Sequence, residues 1–369
     1  MKLTAVIKLM PTPEQRQMLF QTLERANAAC NFISEQAWQT KTFGRVPIHH
    51  LTYKSAREQF ELTAQMAVRC IGKVADSYKL DKKIQRAFRK HGAIAYDDRI
   101  LRYELSERRV SIWCLSGRER IAFTAGESQL HLLQFQHGES DLVLNHGNFY
   151  LSATCEVPED KPIDIKGFLG VDLGVKSIAV DSDGNIHSAK HLLNVRHRHR
   201  RLRSKLQKKG TRSAKRRLIR LSGKEQRFAR DVNHCVSKQL VYLAKGTQRG
   251  IALEDLGGIR DRVTVRRKQR DQLHSWSFHQ LRTFITYKAC WHGVPLVLVD
   301  PRNTSRQCAS CGHIDKASRK SQSVFVCTSC GHAAHADVNA ARNISGRGAV
   351  NHPYVTSVLG RTPASVTSP

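Results

Sequence analysis

Four cysteines fall in two pairs, Cys308-x-x-Cys311 and Cys327-x-x-Cys330, with fifteen residues between the pairs. Each pair is followed by a glycine, Gly312 and Gly331, whose missing side chain lets the backbone turn beneath a thiolate. This spacing suits a tetrahedral zinc site of four thiolates, a zinc ribbon. His313, His332 and His335 lie nearby, but four cysteines already complete the shell. One structural Zn2+ with no open coordination position is therefore expected. A second kind of chemistry is carried by three acids. Asp172 sits inside the apolar run from Phe168 to Val180, where a lone carboxylate is costly unless paired or metal-bound. Glu254 ends the apolar strand pattern from Gly250, and Asp337 opens a helical pattern. Such carboxylates can hold two hard cations about 4 Å apart, one activating water and one stabilising the leaving oxygen. Singly, each acid has an ordinary reading as a turn or cap. Asp255 and Asp300 are rivals, but Asp255 should face the opposite side of its strand from Glu254, and Asp300 precedes Pro301 and suits a turn.

The acids come in an order that fits a ribonuclease H-like nuclease: a strand-borne Asp leading into a hairpin, a strand-ending Glu, then an Asp at a helix start. The substrate class is indicated by charge. The chain has 369 residues, 61 Lys plus Arg, 31 Asp plus Glu and a formal net charge of +30. From Arg196 to Arg230 there are sixteen Lys or Arg and one acid, Glu225. Such a run repels itself without a counter-charge, which a phosphate backbone supplies. Arg196, Arg198, Arg200, Arg201, Arg203, Lys205, Arg212, Lys215, Arg216 and Arg217 are the candidate phosphate contacts. A second cluster follows the Glu254 strand, with Arg266 and Arg267 as candidates among Arg260, Arg262, Lys268 and Arg270. These cations position a nucleic acid without specifying its sequence.

The same composition excludes other classes. An apolar fraction of 40% is enough for a core. No run approaches the ~20 apolar residues of a membrane span, and the first ten residues are too short and too interrupted by Lys8 for a secretory signal. Ten cysteines in so long a chain, four of them in C-x-x-C pairs, argue against a disulfide framework and for a reducing cytoplasm.

These residues need elements to position them. Residues 2–10 alternate as a strand, and Thr12-Pro-Glu-Gln15 is a helix start with a capping box. Apolar residues at Leu19, Leu23, Ala26, Cys30, Ile33 and Ala37 keep helical spacing, as do Ala67, Ile71, Val74 and Tyr78, so residues 11–87 read as a helical bundle. Short strands follow around Val110–Cys114, Ile121–Phe123, Leu142–Leu144 and Phe149–Cys155 and suggest a small sheet or barrel, which the first strand would join with the helices inserted between. Asp183-Gly184 marks a hairpin turn. Residues 196–230 read as a basic helical stretch, 271–292 as a long helix, Val294–Val299 as a strand, and the last twenty or so residues as a disordered tail.

Four motifs, Gly170-Val-Asp172-Leu-Gly-Val-Lys176, Leu253-Glu254-Asp255-Leu256, Thr304-Ser305-Arg-Gln-Cys308-Ala-Ser-Cys311-Gly312 and Asp337-Val-Asn339-Ala-Ala-Arg-Asn343-Ile344, resemble the TnpB proteins of insertion sequences, relatives of the compact type V CRISPR effectors. The likeness is specific from about residue 166 to 345 and softer in the N-terminal half. It implies an RNA-guided DNA endonuclease, guided by a transposon-end RNA and cutting target DNA beside a short motif. The implied architecture is α/β plus β-barrel: wedge-barrel first strand 1–10, helical recognition domain 11–87, wedge barrel 88–160, RuvC-like nuclease domain 161–301, zinc ribbon 302–333, last RuvC segment 334–346 and tail 347–369. Asp172, Glu254 and Asp337 would hold two Mg2+ as the catalytic acids, and Cys308, Cys311, Cys327 and Cys330 the zinc. Guide RNA and target DNA would be the partners, with no membrane, in a monomeric ribonucleoprotein of the bacterial cytoplasm and nucleoid. One departure stands out: many members carry Asp-Arg-Asp where this chain has His335-Ala336-Asp337, which leaves that arginine's role without an owner. The competing readings are a transposase that cuts and joins insertion-sequence ends, and a non-cleaving RNA-guided regulator.

Overall fold

The computed structural model describes residues 1–257 and 278–350, in two compact units, Met1–Pro158 and a second beginning at Glu159. The first unit is built on a seven-stranded antiparallel sheet. Strand β1 (Lys2–Leu9) buries Ala5, Ile7 and Leu9 on alternate positions. Thr12 then caps helix α1 (Pro13–Gln39) with the reciprocal Thr12–Gln15 box that the sequence predicts. Helices α2 (Arg45–Gln59) and α3 (Ala64–Leu80) complete the bundle. Six strands follow: β2 (Ile94–Tyr96), β3 (Leu101–Glu104), β4 (Arg109–Cys114), β5 (Gly117–Thr124), β6 (Gln136–Asn145) and β7 (Asn148–Glu156), with short helix α4 (Glu127–Leu133) after β5. Their order, β2-β6-β7-β1-β5-β4-β3, places the first strand in the middle of the sheet. The Tyr103 hydroxyl on edge strand β3 donates to Ser140 Oγ on β6, 2.9 Å away, so the sheet curls until it is nearly closed.

One expectation is corrected here. The helices stop at Leu80, and residues 81–87 are not helical: bends at 82–84 lead into a stretch without regular structure that runs to a turn at 90–91. The backbone from Arg86 to Gly92 is held by polar side chains on one face of α1. Asn27 donates to the carbonyls of Lys90 and Gly92, Asn31 donates to Phe88, and Ser34 donates to Arg86. These bonds satisfy backbone carbonyls of a segment that has no helix or sheet partner of its own.

The second unit is a mixed five-stranded sheet, β10-β9-β8-β11-β12. It comprises β8 (Phe168–Asp172), β9 (Ser177–Asp181), β10 (Ile186–Ser188), β11 (Gly250–Glu254) and β12 (Leu296–Val299), with β8, β11 and β12 parallel. Between β10 and β11 the basic stretch forms three helices, α5 (Lys190–Lys209), α6 (Arg212–Leu221) and α7 (Lys224–Gly246). The breaks fall at Gly210 and Gly223. Of the long helix expected over 271–292, the described part is α8 (Phe278–Trp291); residues 271–277 lie outside the described residues. Helix α9 (Ala336–Val350) runs past the predicted end of order at 346, because Arg347 bonds the carbonyls of Asp300 and Arg302 at 2.7 Å and pins the last turn; residues 351–369 lie outside the described residues.

Side-chain alternation decides what each face of this sheet does. Leu169, Val171, Ile251 and Leu253 pack with Leu240, Val241, Leu281 and Ile285 of α7 and α8. Phe168 and Ala252 face the other way, towards Ile344 of α9. Gly170 is what lets α9 approach so closely: a Cβ there would lie 2.0 Å from the Ala341 carbonyl oxygen.

Candidate functional site

Period-two alternation puts Asp172 on the face of Gly170, and Glu254 on the face of Ala252, which is the face that α9 covers. Parallel register pairs Val171 with Leu253, so Asp172 and Glu254 are the next residues on neighbouring strands, about 4.8 Å apart in the sheet. Asp337 lies in the first turn of α9. The three acids therefore meet, although they come from three distant parts of the chain. Their environment is costly for charge. Burial, then the negative charges of Glu254 and Asp337, pushes Asp172 up to about 8. Burial also raises Glu254, opposed by the hydroxyl of Thr304 and the charge of Arg347. Like charges crowded in a dry site are the arrangement that a divalent cation relieves.

The rival acids are spent elsewhere. Asp255 bonds Arg282 at 2.8 Å, and Asp300 accepts from the Arg302 backbone N–H at 2.9 Å, closing the turn after Pro301.

The four cysteines also converge. Their sulfurs all lie within 4.8 Å of one another, with Cys308–Cys330 at 3.7 Å and Cys311–Cys327 at 3.6 Å. Ligands 2.3 Å from a tetrahedral zinc are ~3.8 Å apart, so the set fits one ion. Two matching turns make it. Gly312 N–H bonds the Cys308 carbonyl and Cys308 N–H the His313 carbonyl; Gly331 and His332 repeat this around Cys327. Both glycines have positive φ, +77° and +72°. Backbone N–H groups of Cys330 and Ser329 point at Cys327 Sγ and hold its thiol down to about 6, which favours the ligating thiolate. His313 and His332 contribute carbonyls to these turns, while His335 Nδ1 accepts from the Asp337 N–H.

The hairpin of this ribbon, β13 (Val324–Val326) with β14 (Ala333–His335), runs straight into α9. Arg319 of the ribbon reaches Asp337, with Nη2 3.0 Å from Oδ1. Sequence reading assigned Arg319 nothing, because its partner is adjacent only in space. Thr304, Asn339 and Asn343 stand in the quoted motifs, but nothing in the sequence says what they hold.

Of the predicted phosphate contacts, Arg198, Arg200, Arg201, Lys205, Arg212, Lys215, Arg216 and Arg217 are exposed on α5 and α6. Arg196 and Arg203 both pair with Glu225, the one acid of the stretch. A cleft of about 1070 Å³ opens between these helices, lined among others by Leu193, Arg196, Arg200, Arg203, Leu218 and Leu221; none of the three acids lines it. Arg266 and Arg267 lie outside the described residues. The first unit adds a basic segment that the sequence reading passed over. Residues 82–90 hold Lys82, Lys83, Arg86, Arg89 and Lys90 and no acid, which a local charge count would have found. Among the described residues no helix is long and apolar enough to cross a membrane.

Comparison with known proteins follows the same division. The OrfB_IS605 family model, described as a probable transposase, matches residues 152–256, and the Cas12f1-like TNB domain model matches residues 278–344. A TnpB-like protein of Methanocaldococcus jannaschii is 31% identical over 203 residues, covering 51% of this chain and 72% of that protein. The CRISPR-associated endodeoxyribonuclease Cas12f1 of Sulfoacidibacillus thermotolerans is 32% identical over 241 residues, 60% of this chain and 54% of the relative, so this chain spans about half that relative's length. A cryo-EM structure of a Cas12f1–sgRNA–target DNA complex shares the fold, with TM-score 0.57 at 19% identity over 90% of this chain and 83% of that one. With its two model matches and its likeness over most of the M. jannaschii protein, the chain belongs to the TnpB-like family.

Proposed function

We propose that the chain is an RNA-guided DNA endonuclease, with Asp172, Glu254 and Asp337 as its catalytic acids and the second unit's sheet as a RuvC-type, ribonuclease H-like nuclease domain. The observation that carries this reading is that Asp172 and Glu254 share one sheet face with Asp337 on the helix that covers it, in surroundings that raise the proton affinity of Asp172. Crowded buried carboxylates fit Mg2+, and a pair of such ions would supply an activated water and a neutralised leaving oxygen. The remaining work belongs to side chains. Arg319 orients Asp337, Thr304 and Arg347 oppose the burial penalty on Glu254, and Cys308, Cys311, Cys327 and Cys330 would hold the zinc that braces the ribbon from which Arg319 reaches in. Exposed cations of α5 and α6 hold the nucleic-acid backbone. The guided relative Cas12f1, seen with guide RNA and target DNA, supports RNA and DNA as the two partners here. In this reading residues 11–87 are the recognition segment, 1–10 and 88–160 the wedge barrel, and 302–333 the zinc ribbon.

The family description as a transposase keeps one other reading alive, and a single set of assays separates them. RNA co-purifying with the full chain is sequenced, and a DNA target matching its guide portion is offered with Mg2+. Guided cleavage that disappears in Asp172→Ala is the expected result. Joining of insertion-sequence ends by the protein without RNA would overturn it, and guided binding with no cleavage would reduce it to a regulator.

A further inference from the structure

Thr304 is neither an acid nor a zinc ligand, yet it is only 3% exposed. Its hydroxyl contacts Oε1 of Glu254 and also lies 3.0 Å from the Pro301 carbonyl oxygen. A hydroxyl has one proton to give, and an ionised carboxylate is the stronger acceptor. The loop that carries Thr304 is gripped from α9. Asn343 Nδ2 donates to the carbonyls of Thr304 and Gln307, at 2.8 and 2.7 Å. One turn earlier on the same helix face, Asn339 donates to the Gln307 carbonyl at 2.7 Å and accepts from the Ala309 N–H at 2.9 Å. Both asparagines are buried. The helix that carries Asp337 thus holds the loop whose hydroxyl holds Glu254.

We propose that Thr304 is the positioning residue of Glu254, and that Asn343 sets Thr304, so that one helix fixes the relative placement of Glu254 and Asp337. The inference rests on reading Asp172, Glu254 and Asp337 as a divalent-cation site. A ligand carboxylate must hold one rotamer to bind a hard cation well, and groups that hold ligands from behind are typically worth on the order of 10–100-fold in metal affinity. The ordinary alternative makes Thr304 a turn residue that only closes the Pro301 loop at the base of the ribbon.

Binding of Mn2+ alone separates the two without any nucleic acid. Full-length wild type, Thr304→Val, Thr304→Ser and Asp172→Ala are titrated with Mn2+ and followed by the free-ion paramagnetic resonance signal, with zinc content and Tm measured on the same samples. The expected result is that Thr304→Val keeps its zinc but binds Mn2+ on the order of tenfold more weakly, and that Thr304→Ser restores the affinity. Wild-type Mn2+ affinity in Thr304→Val overturns the proposal, as does loss of zinc with Mn2+ binding unchanged. If Thr304→Val does not fold, Thr304→Cys replaces it: as a weak donor it must bind Mn2+ less well than Thr304→Ser, and equal binding overturns the proposal. Mn2+ binding by Asp172→Ala equal to wild type would remove the acid-site reading itself, separately from Thr304.

Discussion

The two candidate metal sites of this chain are built in opposite ways. The cysteine set is local. Its ligands lie between residues 308 and 330, and each pair is shaped by its own turn, with hydrogen bonds that repeat from Cys308 to Cys327. The acid set is assembled from β8, β11 and the start of α9, and no turn brings those three together. Strand register, side-chain alternation and the Gly170 contact with α9 do so. A local site is encoded by spacing and is expected to fail as a unit when a ligand is lost. A distributed site depends on the whole fold, so its members can be altered with the fold intact. The two are nonetheless joined, since β14 leads into α9 and Arg319 of the ribbon bonds Asp337.

That contrast can be broken most directly at Asp172. Asp172→Ala should lower guided cleavage on the order of 10³-fold or more while the chain stays folded with its zinc content unchanged, because it removes a ligand from the distributed site only. Cleavage within tenfold of wild type would show that the three acids do not act together. Cys311→Ser tests the other side. Structural zinc contributes folding free energy, so zinc stoichiometry, Tm and cleavage should fall together, with Tm down on the order of 10 °C. A Cys311→Ser protein that melts and cleaves as wild type does would mean that the ribbon does not depend on its metal.

A smaller effect sharpens the electrostatic part. Folded Asp172 keeps its proton up to about 8, whereas in the unfolded chain it gives it up near 4. Between those values the folded state binds more protons, so metal-free stability falls as pH rises through this window and levels off above it. Asp172→Asn lacks that loss. Its Tm should therefore gain on wild type from pH 4 to pH 8, and added Mg2+ should return the difference to wild type. A difference in Tm that stays flat with pH would contradict the crowding of charge at Asp172. The smallest effect concerns single cations. Arg201→Ala should weaken RNA binding modestly and reduce the salt slope by about one, read from affinities measured across a salt series. Arg203→Ala, whose partner is Glu225, should change the slope less. Both arginines are exposed, so equal slopes for the two variants would show that the Glu225 ion pair makes no difference to phosphate binding.

How much of this could be read from the residues follows from the same contrast. The zinc turns, the Thr12 cap, the β1 alternation and the order of the acids depend on neighbours a few positions away, and each is visible as a pattern. Residues 81–87 read as the end of a helical bundle but are not helical, because the backbone from Arg86 to Gly92 is held by Asn27, Asn31 and Ser34, more than fifty residues earlier. The pairing of Arg196 and Arg203 with Glu225 went unseen for a related reason: α5 and α7 meet only after the chain folds back through α6. Thr304, Arg319, Asn339 and Asn343 were present in or beside recognisable motifs, but their partners are Glu254, Asp337 and the backbone of the 304–309 loop, none of which a local window contains.

By itself, then, the sequence determined the chemistry available: four thiolates at a zinc spacing, three acids at element ends, and a surplus of cations suited to phosphate. Those are properties of residue type and short-range spacing. Tertiary structure decided which acids share a space and which are spent in turns or ion pairs, and which uncharged side chains hold them. The physical reason is that a carboxylate's role depends on its burial and its neighbours' charges, and both are settled only when β8, β11 and α9 pack against one another.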